Sequence, residues 1–165
     1  MNGNRYVLDA SVFMEAARRY YAFDFAPRFW EGLVEHARDG RVMSIDRVQE
    51  ELARGNDELA SWANGRFGSA FLPTEAPEVI DVYRELMEWV QSQDQFLDAA
   101  RAEFASKADG WLVAYARANG CVVVTQEVLN LDVRRKVPIP NLCEAFDVRW
   151  IDTFAMMRDL GIRFA

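Results

Sequence analysis

The sequence predicts an α/β domain built on a mainly parallel sheet. Short, largely apolar runs at 5–8, 42–45 and 121–124 read as buried strands, and stretches with helical periodicity lie between them. The connections are short, which suits strand–helix alternation. Arg5 to Leu8 is the first strand and ends at Asp9-Ala10-Ser11. Helices are expected over 12–22 and 27–38, the second opening at Pro27 and stopping at Asp39-Gly40. After the strand at 42–45, Asp46 is expected to cap a helix reaching about Arg54, and a further helical stretch covers 57–64. Apolar residues recur on one face from Ala76 to Gln91, giving a long amphipathic helix. Helices follow at 96–105 and 109–118, the latter ending at Asn119-Gly120. Cys121 to Val124 is apolar throughout and β-branched at its three valines, as a central strand buried on both faces should be. A polar loop, a short helix near 141–146, a strand at 148–151 and a helix at 153–160 complete the chain.

Composition narrows the function. The 165 residues are 51% hydrophobic and 27% charged, with 11 Phe and 5 Trp, enough for one ordinary core and one domain over 1–165. No apolar run approaches the roughly 18 residues of a membrane span, and the first residues lack a signal-peptide pattern, so a cytoplasmic chain without membrane contact is expected. The net charge of −7 argues against broad coating of nucleic acid, but not against an enzyme that holds it through a bound cation. Cys121 and Cys143 lack metal-ligand spacing, and His36 is the only histidine, so zinc sites and Ser-His triads have no parts. No glycine-rich phosphate loop is present. A haloacid-dehalogenase-type phosphatase needs a second Asp where Ser11 stands, and the Lys and paired acids of a receiver domain are missing.

Ligands of open parallel sheets bind beyond the carboxyl ends of the strands. Asp9 and Glu127 follow two strand ends there. At 100° per residue, Glu51 shares a helix face with Val48 and Leu52, whereas Glu50 lies about 160° from Val48 and faces solvent. Asp109 shares a face with Leu112, Val113 and Ala116. Each acid has a plain alternative: Asp9 a turn or N-cap residue, Asp109 an N-cap, Glu51 and Glu127 surface charges. Together, four carboxylates at one sheet edge repel unless a divalent cation neutralises them, and oxygen-only ligation selects Mg²⁺ or Mn²⁺.

The segments YVLDASVF (6–13), VQEEL (48–52), ADGWLVAYARANG (108–120) and VVVTQE (122–127) resemble, in order, the four acidic motifs of PIN-domain nucleases, closest to the VapC-type toxins of toxin–antitoxin pairs. The resemblance implies a Rossmann-like α/β/α sandwich and a metal-dependent ribonuclease. It assigns Asp9, Glu51, Asp109 and Glu127 as the catalytic acids, although Asp is commoner than Glu at the last position. Ser11 and Thr125 match the hydroxyls that support those acids. Asp9, Asp109 and Glu127 would hold the metal, and Glu51 would orient or deprotonate the attacking water. Arg134, Arg135 and Lys136 are candidate RNA contacts, with a solvated loop as their plain reading. An antitoxin partner is implied, and so is a homodimer. The density of Phe13, Tyr20, Tyr21, Phe23, Phe25, Phe29 and Trp30 supports the dimer, because one core is not expected to absorb all seven. The rivals are a PIN-like interaction module without catalysis and a DNA-directed metal nuclease.

Overall fold

The computed structural model describes residues 3–164. Tyr6–Leu8 forms β1, with all three residues buried. Asp9 ends that strand and caps α1 (Ala10–Glu15), its carboxylate accepting the Val12 N–H. The helix does not continue regularly to 22. Ala16–Tyr20 is a π-helical turn, closed by the Tyr21 N–H on the Ala16 carbonyl at 2.8 Å. This wider turn ends the helix where Tyr21 stacks on Phe29, ring centroids 4.8 Å apart.

The next elements are α2 (Pro27–Arg38), β2 (Val42–Ile45), α3 (Asp46–Ala53) and α4 (Glu58–Asn64). Asp46 is the first helical residue of α3 rather than its cap. Its carboxylate accepts the Arg47 N–H and both the N–H and hydroxyl of Thr74. A 3-10 turn at Gly68–Ala70 leads into β3 (Phe71–Leu72), which sequence periodicity does not reveal because two residues show no alternation. Then come α5 (Pro77–Ser92), α6 (Asp98–Ala105), α7 (Asp109–Asn119), β4 (Val122–Val124), α8 (Ile139–Ala145), β5 (Trp150–Ile151) and α9 (Thr153–Leu160). α8 starts two residues earlier than expected because Pro140 sits in its first turn, where a missing N–H costs nothing.

The five strands are all parallel in the order β3-β2-β1-β4-β5, so the expected α/β sandwich on a parallel sheet is the fold observed. Tyr6 pairs with Val42 on one side and Val122 on the other, which makes β1 the central strand. The chain moves outward from β1 to β3, then crosses back to β4 and β5. Right-handed crossovers therefore put α1 to α4 on one face and α5 to α8 on the other. α9 returns to the first face, where Ile162 just beyond it closes on Gly32 of α2. The strand order reverses between β1 and β4, and the crevice at their carboxyl ends is the topological switch point.

The core takes up most of the aromatic surplus but, as expected, not all of it. Phe13, Phe29 and Trp30 are buried, Tyr21 and Phe23 pack against the core, and Tyr20 and Phe25 stay exposed. Trp62 and Phe67, brought in by α4 and the following turn, provide the space: Phe13 lies 5.6 Å from Phe67 and 5.9 Å from Trp62. One core therefore absorbs most of the cluster. Gly110 permits a close helix approach on the other face, since a Cβ there would lie 2.9 Å from Phe104 Cζ.

Replacing Phe13 with Ala empties the centre of this aromatic packing. Urea unfolding is expected to show a loss of about 3–5 kcal/mol.

Candidate functional site

β1 and β4 deliver their terminal residues to the switch point. Asp9 is buried there at 3% exposure, and both its carboxylate oxygens are used: Oδ1 by the Ser11 hydroxyl and the Val12 N–H at 3.2 Å, Oδ2 by the Thr125 hydroxyl at 2.7 Å. Asp9 is thus the N-cap of α1, and its carboxylate lies at the switch point. Ser11 also accepts the Gln126 N–H, and Thr125 accepts that of Glu127. The two hydroxyls therefore bridge the ends of neighbouring strands.

Asp109 is the first residue of α7, and Ala108, not Asp109, is the N-cap. The capping alternative fails for it. The Asp109 carboxylate is only partly exposed, and among the described residues no donor hydrogen-bonds to it. Burial first, and then the charges of Glu127, Asp9 and Glu51, push its pKa up to about 8, with Lys107 opposing. Burial likewise raises Asp9 to about 6 against the lowering effect of its hydroxyl and N–H donors.

Glu51 is half-buried and Glu50 exposed, as helical phase requires. Glu51 Oε2 accepts the Ala108 N–H at 3.1 Å, which holds it beside the start of α7. Glu127 is more structural than the sequence suggests: its Oε1 accepts the Ile139 N–H at 2.9 Å, at the first turn of α8, and lies 3.6 Å from Lys136 Nζ. Asp109, Glu127, Lys107 and Lys136 line one small cavity of about 50 Å³. Of the three loop cations, Lys136 thus joins the acids, whereas Arg134 and Arg135 are exposed and their side chains make no hydrogen bond among the described residues. The loop itself is pinned by reciprocal bonds between Asn130 and Asn141. His36 lies in the last turn of α2, which leads to the opposite edge of the sheet.

Glu127, Asp9 and Glu51 are close enough for their charges to act on Asp109, and all the donor atoms of the four acids are oxygen. Among the described residues, however, no three His, Cys, Asp or Glu side chains are grouped tightly enough to hold an ion as they lie. Cys143 lies close enough to feel the charges of Asp9 and Glu127, yet it is a fully buried thiol pushed up to about 12 by burial, and so is chemically silent. Two groups escaped the sequence reading. Gln126 Oε1 accepts the Thr153 hydroxyl at 2.9 Å and ties the end of β4 to α9. Arg47 lies one helical turn before Glu51, and only that i, i+4 spacing in the sequence could have pointed to it.

A family model described as a domain of unknown function, DUF4411, matches residues 6–164, and the chain belongs to that family. No curated protein matches it. Among solved structures, VapBC2 from Rickettsia felis, crystallised with a DNA fragment from its promoter, aligns with a TM-score of 0.53 at 12% identity, covering 89% of this chain and 97% of that one. FitAcB from Neisseria gonorrhoeae aligns with a TM-score of 0.54 at 19% identity, covering 88% and 96%. At these identities the likeness shows a shared fold. No helix among the described residues is long and apolar enough to cross a membrane.

Asp9 and Asp109 bind protons more tightly in the folded protein than in the unfolded chain, where they titrate near 3.8. The folded state therefore holds extra protons between about pH 4 and pH 8, and stability falls as pH rises through that window. Thermal unfolding of metal-free protein is expected at a higher temperature at pH 5.5 than at pH 8, and Asp109→Asn should flatten the difference.

Proposed function

We propose that this member of the DUF4411 family is a divalent-metal-dependent ribonuclease of the PIN type, acting as the toxin of a toxin–antitoxin pair. The carrying observation is the Asp109 carboxylate, half-buried without a protein donor while three other acids crowd it at the switch point. A structural carboxylate in such a place acquires N–H or hydroxyl partners, as Asp9 does. One left bare among like charges fits an external cation. The oxygen-only donor set suits Mg²⁺ or Mn²⁺, and Asp9, Asp109 and Glu127 would hold it.

When bound, the ion polarises the phosphodiester and lowers the pKa of a water molecule. The protein's own residues do the rest. Ser11 and Thr125 fix the Asp9 carboxylate against rotation. Glu51, anchored through one oxygen to Ala108, keeps the other available to orient and deprotonate water. Lys136 and Lys107 border the acids and offset charge as substrate phosphate approaches. Cleavage leaves a 5′-phosphate and a 3′-hydroxyl.

RNA as substrate, an antitoxin as protein partner and self-association belong to the same reading. Its support is the likeness of fold to the VapBC2 and FitAcB chains together with the ordered acidic motifs. Tyr20, Phe25, Phe154 and Phe164 remain exposed and offer the apolar surface for a second copy. One observation favours the rival interaction module: Glu127 already has partners in Ile139 and Lys136.

Incubating the chain with labelled single-stranded RNA decides between them. Cleavage in Mn²⁺ that stops on chelation supports the nuclease; intact RNA with Mn²⁺ and Mg²⁺ overturns it. Glu51→Gln is expected to slow cleavage by about 10²–10⁴-fold, whereas Glu50→Gln stays within about twofold of wild type. Mn²⁺ at about 100 times its Kd should add about 2.7 kcal/mol of stability, visible as a raised Tm that Asp109→Asn abolishes.

A further inference from the structure

We propose that Arg47 is a preorganised clamp for a backbone phosphate of the nucleic-acid substrate, lying beside the carboxylates and independent of any metal. This rests on the nuclease reading above.

Arginine and glutamate one helical turn apart ordinarily pair, but Arg47 and Glu51 form no ion pair. Glu51 goes to Ala108, and Arg47 is held away by two other restraints. Its Nε donates to the Thr74 hydroxyl at 3.1 Å, and that hydroxyl donates to Asp46 at 2.9 Å. Its guanidinium lies over the Trp111 ring, 4.0 Å from the centroid. Trp111 in turn stacks on Tyr83 at 3.7 Å, nearly parallel at 7°. Three planar groups from α3, α7 and α5 thus form a ladder that fixes the plane of the guanidinium.

The restraints consume one donor only. Among the described residues, no group accepts a hydrogen bond from the terminal nitrogens of Arg47, and no carboxylate lies within ion-pair distance of it. Arg47, Trp111 and Tyr83 are all partly exposed. A chain with a net charge of −7 has acids to spare, yet this arginine is kept from every one of them. An oriented fork with two unpaired ends matches the bidentate geometry of a phosphate.

Position supports the assignment. Thr74 and Arg47 follow the carboxyl ends of β3 and β2, and Asp9 and Glu127 those of β1 and β4. The fork therefore lies along the same sheet edge as the acids. Glu51 is about 6 Å further along the α3 axis. A strand whose scissile phosphate meets the acids would pass a neighbouring phosphate to the fork. Lys136 stands on the opposite side, at Glu127.

The test uses the full chain carrying Asp9→Asn, so that RNA survives, with binding read by fluorescence anisotropy. Arg47→Gln is expected to weaken binding to a single-stranded oligonucleotide about tenfold, and to reduce the slope of log K against log salt by about 0.7, the value for one lost phosphate contact on a single strand. A single neutral methylphosphonate linkage moved along the strand should weaken the Arg47 chain at one position and leave Arg47→Gln indifferent there. Arg47→Lys, which keeps the charge, should retain the slope but lose affinity severalfold, and it serves as the readout if the Gln variant fails to fold. If these variants lower Tm while slope and linkage sensitivity stay unchanged, Arg47 merely fastens α3 to α7 and the clamp is wrong. Cleavage of RNA by wild type together with unchanged binding by both variants overturns the clamp and leaves the nuclease standing. A wild-type chain that neither binds nor cleaves RNA removes both.

Discussion

The structure turns on a buried carboxylate at the end of its central strand. Asp9 closes β1, starts α1 and reaches across to Thr125 at the end of β4, so one side chain joins a strand, a helix and the neighbouring strand. Burial of a charge at 3% exposure is costly, and three donors offset that cost. The same donors fix where the carboxylate points. Everything else at the sheet edge is arranged around a negative charge that cannot move.

Its neighbours divide the problem between them. Glu51 and Glu127 each surrender an oxygen to a backbone N–H at a helix start, where the helix dipole welcomes a negative group. Asp109 has no such outlet, so burial and then repulsion from its neighbours fall on it and bias it toward its protonated form. The division separates acids that shape the cleft from the one that leaves it electrostatically unfinished. Lys107 and Lys136 temper the imbalance from the rim without bonding to Asp109.

Much of this was legible in the residues. The helix opened by Pro27 and the last helix came out at 27–38 and 153–160, as read from the sequence. The choice of Glu51 over Glu50 needed only the helical repeat. What escaped depended on tertiary context. β3 exists because β2 offers it a ladder, Ser44 pairing with Phe71, and two residues carry no pattern of their own. The aromatic cluster looked excessive because Trp62 and Phe67, distant in sequence, supply much of its packing. Glu127 looked free because Ile139 reaches it only once the loop is drawn in by Asn130 and Asn141. The stack of Arg47, Trp111 and Tyr83 joins three helices, and no local rule predicts such a meeting.

The position of β1 also governs when the molecule becomes complete on the ribosome. Its first residues emerge early, but the hydroxyl that grips Asp9 comes from Thr125, 116 residues later. Until β4 is synthesised, the central strand has one open edge. Parallel pairing over such a separation is slow, because the loop must close before any contact rewards it. Until β4 emerges, the nascent chain is therefore an unfinished sheet and a candidate for chaperones. Its acids gather only when the chain through Glu127 has left the exit tunnel, so the crowded cleft forms after all of β1 to β4 is available.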